Sequence, residues 1–89
     1  NKTEQKVYRG GNEISLTLKE FQLLVYLAEA QGRTVSKQQI TEHVWEHNFN
    51  TNTNTVEVYI NFLRKKIDKD FKVKLIHTRS GFGYYLSPL

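Results

Sequence analysis

One segment constrains this chain more than any other. Between Asn54 and Asp68, the residues Val56, Ile60, Leu63 and Ile67 recur at helical spacing. At about 100° per residue they fall within about 60° of one another, which makes a core-facing stripe. The opposite face presents Asn54, Val58, Asn61, Phe62 and Lys65, with Arg64 at its edge. An exposed valine and phenylalanine among amides and a lysine are unusual for a solvated face and mark a contact surface. The segment therefore reads as a helix held between a core on one side and a partner on the other.

The flanking sequence supplies that core. Lys6 to Arg9 and Glu13 to Leu16 bracket Gly10-Gly11-Asn12, the pattern of a β-hairpin behind a polar, frayed start at residues 1–5. Thr17 and Glu20 have capping-box spacing and open a first helix at Leu18, with Leu18, Phe21, Leu24, Val25 and Ala28 as its expected buried stripe. Gly32 stands where a left-handed helix end would place it. Ser36 and Gln39 form a second capping box, and Ile40 and Val44 give a short second helix its apolar side. The run Asn50-Thr-Asn-Thr-Asn-Thr55 favours turns and caps, and Asn54 with Glu57 reads as the cap of the third helix. Downstream, Val73 to Thr78 is β-prone, Gly81 and Gly83 punctuate a turn, and Tyr84-Tyr85-Leu86 resumes as a strand. Two strands, three helices and a closing hairpin predict an α+β winged helix-turn-helix.

Composition narrows the function. Eighty-nine residues make one domain, 1–89, and the absence of cysteine excludes a disulfide framework or a Cys-based zinc site. The longest apolar run is Leu23 to Ala28, far short of the ~18 residues that a membrane helix requires. No methionine begins the chain and no signal-peptide pattern follows, so the expectation is a piece of a longer cytoplasmic protein. The net charge is +4, yet residues 1–61 carry six basic and seven acidic groups. Residues 62–89 carry seven basic groups against two acidic ones, so the whole excess lies in the last third. Clustered positive potential of this kind suits a polyanion.

A rival chemistry lies in His43-Val-Trp-Glu46-His47, which matches the H-x-x-E-H zinc pattern of one peptidase group. A catalytic zinc needs a third protein ligand and a concave site, and His77 falls in an expected strand near the wing. The expectation is no enzyme, no metal and no cofactor. A winged helix can also serve as a protein-docking module with only nonspecific DNA affinity, which is the alternative reading.

Five blocks carry a family resemblance: Leu16-Thr-Leu-Lys-Glu-Phe-Gln-Leu-Leu24, Val44-Trp45, Asn54-Thr-Val-Glu-Val-Tyr-Ile60, Leu63-Arg-Lys-Lys-Ile67 and Ile76-His-Thr-Arg-Ser-Gly-Phe-Gly-Tyr-Tyr-Leu86. In order and spacing they resemble the effector domain of OmpR/PhoB-type two-component response regulators. The resemblance implies sequence-specific binding to double-stranded DNA in transcription control, with a recognition helix at about 54–68 in the major groove. It places a wing at about 76–86 toward the minor groove. It further implies a receiver domain absent from this chain that drives dimerisation, an isolated domain that is monomeric, tandem direct-repeat sites, and contact with RNA polymerase through the loop at 46–53.

Carried over position by position, the resemblance assigns Trp45, Asn54 and Thr55 to the DNA backbone and Val58 to a thymine methyl. Asn61, Phe62, Arg64 and Lys65 form the exposed recognition face, and Thr78, Arg79 and Ser80 the wing. Lys72 and Lys74 join Arg64 and Lys65 as phosphate ligands, while Lys66 lies nearer the core stripe and reads as a surface lysine. Asn61 suits the adenine N6/N7 edge, and Val58 and Phe62 suit thymine methyls, so A·T steps are expected in the site. Two departures stand out. Some relatives carry arginines where this chain has Asn61 and Phe62, and the wing arginine of many relatives is Ser80 here, with Arg79 one position earlier. Adjacent residues in a hairpin face opposite ways, so that shift changes the side from which an arginine points.

Overall fold

The computed structural model describes residues 6–45 and 54–88. A first hairpin pairs β1 (Val7–Arg9) with β2 (Asn12–Ile14), in the register Val7↔Ile14 and Arg9↔Asn12. Gly10 and Gly11 form its two-residue turn at φ +60° and +82°, the conformation that a tight hairpin demands and glycine reaches without strain. Helix α1 (Leu18–Glu29) and helix α2 (Lys37–Val44) each begin with a complete capping box, at Thr17/Glu20 and Ser36/Gln39. Helix α3 (Asn54–Leu63) continues into a widened turn over Arg64–Asp68, where Lys69 N–H bonds back to the Arg64 carbonyl at 2.9 Å. Asn54 is already helical, so the residue capping α3 lies outside the described residues.

The wing pairs β3 (Ile76–Arg79) with β4 (Gly83–Leu86) in antiparallel register, His77↔Tyr85 and Thr78↔Tyr84. β3 starts three residues later than the β-prone run from Val73 suggested. The linker joins the sheet too: Val35 N–H donates to the Tyr84 carbonyl at 2.8 Å, and Tyr84 N–H to the Val35 carbonyl at 2.9 Å. That close approach requires glycine next door, since a Cβ on Gly83 would lie 2.0 Å from the Val35 oxygen.

The core stripe of α3 is as expected, with Val56, Ile60, Leu63 and Ile67 all buried. They meet Leu23, Leu27, Ala30, Val35, Ile40, Val44, Trp45, Ile76 and Tyr84. The stripe of α1 is not the expected one. Leu23 and Leu27 are fully buried, whereas Leu18 is 58% exposed, Ala28 is exposed, and Leu24 and Val25 are half-buried. α1 has two apolar faces, one in the core and one under the first hairpin, and a sequence periodicity cannot say which is deeper. The left-handed helix end also begins one residue before Gly32, at Gln31 with φ +54°.

Two charged side chains go inside. Glu20 accepts from the Lys66 ammonium at 2.6 Å and from its own cap backbone at Thr17 at 2.9 Å. Asp68 accepts from Leu75 N–H at 3.0 Å, Ile76 N–H at 3.1 Å and the Arg9 guanidinium at 2.9 Å. Arg9 also donates to the carbonyls of Ile67 and Val73 and lies 4.2 Å from the Phe71 ring centroid. Through this cluster the first hairpin is clamped to the end of α3, which fixes the angle at which α3 leaves the core.

Candidate nucleic-acid interface

A polar groove of about 660 Å³ runs between the start of α2, the exposed face of α3 and the wing. Asn61 and Arg64 line it from the helix, and Thr78, Arg79 and Ser80 from the wing. These five expected residues, distant in sequence, are thus brought together. Arg64 spans the groove's floor, donating to Thr78 Oγ1 at 2.7 Å and to the Ile76 carbonyl at 3.4 Å. Its guanidinium therefore locks helix to wing as well as carrying charge. On the neighbouring turns of α3, Val58 and Phe62 are 44% and 39% exposed. Phe62 rests against Tyr59, whose ring meets Trp45 edge-on at 5.1 Å.

The wing sorts its residues by strand alternation. Thr78 turns inward beside buried Tyr84, whereas Arg79 turns outward, its guanidinium 5.1 Å from the Tyr85 ring centroid. Ser80 is exposed at the turn. The remaining expected residues spread out. Asn54 is exposed at the start of α3 and Thr55 is half-buried there. Trp45 is buried in the core beyond the end of α2. Lys65 is exposed in an adjoining cleft of about 490 Å³ shared with Asn61, Arg64, Lys69 and Lys74. Lys72 is exposed in the segment leading to β3, outside the groove lining. The Lys74 ammonium donates to the carbonyls of Asp68 and Phe71, both at 2.7 Å, so it caps the end of the helix. Lys66, read as a surface lysine, instead pairs with buried Glu20. The loop at 46–53 lies outside the described residues, as do Glu46 and His47 of the H-x-x-E-H run. His43 stacks on Tyr26 at 4.8 Å and bonds the Gln39 carbonyl, which gives it a packing role.

Sequence reasoning missed four groove residues: Lys37, Gln38, Glu57 and Phe82. Lys37 and Gln38 follow the Ser36 cap directly, so they occupy the first turn of α2, but only the helix crossing shows what they face. Lys37 pairs with Glu57 across that crossing, and this hydrogen bond raises the lysine's pKa above its ordinary value. Phe82 was legible as a lone aromatic between two glycines. The groove remains positive, with Lys37, Arg64 and Arg79 against Glu57, and the N-terminus of α2 adds its partial positive charge.

A two-faced helix, a wing and a positive groove between them match a known domain along nearly all of the chain. The family model for the C-terminal domain of transcriptional regulatory proteins matches residues 11–86. The chain belongs to this family. Among its relatives, the transcriptional regulatory protein CusR of Escherichia coli is 45% identical over 82 residues, which cover 92% of this chain and 36% of CusR. The transcriptional activator protein IrlR of Burkholderia pseudomallei is 44% identical over 84 residues, covering 94% of this chain and 37% of IrlR. The chain thus spans little more than a third of the length of these relatives. The DNA-binding domain of Bacillus subtilis CssR superposes with a TM-score of 0.85 at 31% identity, covering 98% of this chain and 96% of that one. The DNA-binding domain of Klebsiella pneumoniae RstA, solved with its RstA box, gives a TM-score of 0.87 at 23% identity, covering 100% and 89%, and shows the same fold. Membership in this family makes the chain a transcription-regulator domain of winged-helix architecture and not a peptidase.

Proposed function

We propose that this chain binds double-stranded DNA sequence-specifically as the output domain of a two-component response regulator. The observation that carries the reading is the groove that joins Asn61 and Arg64 of α3 to Thr78, Arg79 and Ser80 of the wing. A helix fits the major groove, where every base pair presents a distinct donor, acceptor and methyl pattern. With α3 seated there, Val58, Asn61 and Phe62 meet base edges, and Arg79, Ser80 and Lys65 meet phosphates or the flanking minor groove. Trp45, Asn54, Thr55, Lys72 and Lys74 belong to the phosphate border in this reading. Phosphate contacts position the domain and base contacts specify the site.

The finer parts of the proposal concern the whole protein, of which this chain is the C-terminal DNA-binding domain, residues 1–89. A receiver domain elsewhere in that cytoplasmic protein dimerises it, so the isolated domain is monomeric and binds each repeat weakly. Two tethered copies on tandem direct repeats gain through effective concentration. The loop at 46–53 contacts RNA polymerase.

Selection from a randomised duplex library at ~0.15 M salt, where nonspecific phosphate binding is weakened, tests the core of this reading. Enrichment of a short motif weighted toward A·T steps is expected. Binding without enrichment, abolished by salt, would overturn sequence recognition and favour a protein-docking role.

A further inference from the structure

We infer that Phe82, at the tip of the wing, is a wedge that enters the DNA base stack from the minor groove beside the site read by α3. The inference rests on the DNA-binding reading above and goes beyond it in naming an intercalating side chain and the DNA distortion that follows. Phe82 is 71% exposed, the most exposed of the large apolar side chains among the described residues. Exposing a ring of that size is unfavourable unless a partner covers it.

The turn that carries the ring is held firmly. Phe82 N–H closes the turn onto the Arg79 carbonyl at 2.9 Å. Gly81 on one side has φ +82°, and Gly83 on the other has φ +148° and lies against the Val35 carbonyl. One residue further, Tyr84 is buried and bridged to Val35 by two backbone hydrogen bonds. The ring therefore projects from an anchored root, so little backbone freedom is lost when it inserts.

Its surroundings identify the partner's chemistry. The shallow depression beside Phe82 is lined by Thr34, Ser36, Gln39 and Arg79, and the main groove beyond it by Asn61, Arg64 and Lys37. An apolar ring ringed by hydrogen-bonding and cationic groups suits a surface that combines flat apolar faces with phosphates. A nucleic acid is such a surface, and an apolar protein groove is not. Minor-groove binders insert wedges of this type between base pairs, unstacking a step and kinking the duplex. Pyrimidine–purine steps such as TA and CA unstack most easily, so one of these is expected where the wing lands.

The test uses duplexes carrying one copy of the selected motif, with 2-aminopurine placed singly at each flanking position on the wing side. Bound wild-type protein is expected to raise the fluorescence at one step and at no other. F82A is expected to bind with affinity reduced by about tenfold, the scale of a few kcal/mol of unstacking and lost contact nearly cancelling, and to give no fluorescence rise. F82L, still a wedge, is expected to retain part of it. Saturating wild-type binding with a flat signal at every position would overturn the wedge while leaving sequence recognition intact. A loss in F82A confined to tandem sites, with single sites unaffected, would also overturn it and assign Phe82 to contact between copies. Failure to select any motif removes the DNA reading itself, and the wedge with it.

Discussion

The two hairpins of this small domain share one sequence grammar and do opposite work. Each has short antiparallel strands, a glycine-bearing turn and an arginine where the outgoing strand meets that turn, Arg9 in the first and Arg79 in the second. Arg9 turns in and ends on buried Asp68, on two backbone carbonyls and on the Phe71 ring. Arg79 turns out, over Tyr85, and lines an open groove. The first hairpin is a clamp that sets where α3 points, and the second is a wing that displays side chains beside it. The contrast teaches that a charge near the contact surface has to be traced to its partners before it is counted toward a ligand. Lys66 and Lys74 make the same point, since one neutralises Glu20 and the other caps a helix end.

Substitutions that separate clamp from wing should follow in order of size. The largest is Asp68→Ala, which leaves Arg9 and the Leu75 and Ile76 N–H groups without their acceptor; removing one partner of a buried pair costs about 3–5 kcal/mol. Chemical denaturation measures it, and a loss under 1 kcal/mol would break the clamp half of the contrast. Gly83→Ala comes next, because its Cβ would meet the Val35 oxygen at 2.0 Å and its φ is positive, for an expected cost of about 1–3 kcal/mol. A denaturation midpoint equal to wild type would show that the wing root is not held by that approach.

The Glu20–Lys66 pair sharpens the comparison through pH. Burial pushes the Glu20 carboxyl up, but the Lys66 hydrogen bond and the Thr17 N–H outweigh it and hold the pKa below the ordinary carboxylate value. A carboxylate with a depressed folded-state pKa contributes stability above its unfolded pKa and loses it as pH falls through the folded one. Unfolding free energy should therefore decline on acidification below the ordinary glutamate range. Lys66→Ala should lower neutral-pH stability by about 1–3 kcal/mol, by leaving Glu20 unpaired, and should flatten that decline. An unchanged acid limb would refute the pairing. The smallest stability effect is expected at the wing: Arg79→Ala should stay within about 0.5 kcal/mol of wild type. The same change should reduce the salt slope of DNA binding by ~0.9, the amount lost with one phosphate contact.

Much of this was readable from the chain. The α3 stripe, both capping boxes, the Gly10-Gly11 turn and the order of elements follow from spacing and turn chemistry, which are local. The α1 stripe was not, because both of its faces are apolar and only tertiary packing ranks them. Asp68 was missed for a similar reason: on a regular helix it falls about 120° off the core stripe, and the widened turn at Arg64–Asp68 carries it inward. The recognition face was legible from its mixed chemistry, and the structure joins it to Thr78, Arg79 and Ser80. That Lys37 and Gln38 share this groove depends on how α2 crosses α3, and no local pattern records a crossing.

The most direct test of the central claim is the affinity of Asn61→Ala against a panel of single-base variants of the selected duplex. The account predicts a loss of ~1–3 kcal/mol on the selected site, with discrimination relaxed at one A·T pair and kept at the others. An equal loss on every duplex, with discrimination intact throughout, would place Asn61 on the DNA backbone and contradict the assignment of α3 as the reading helix.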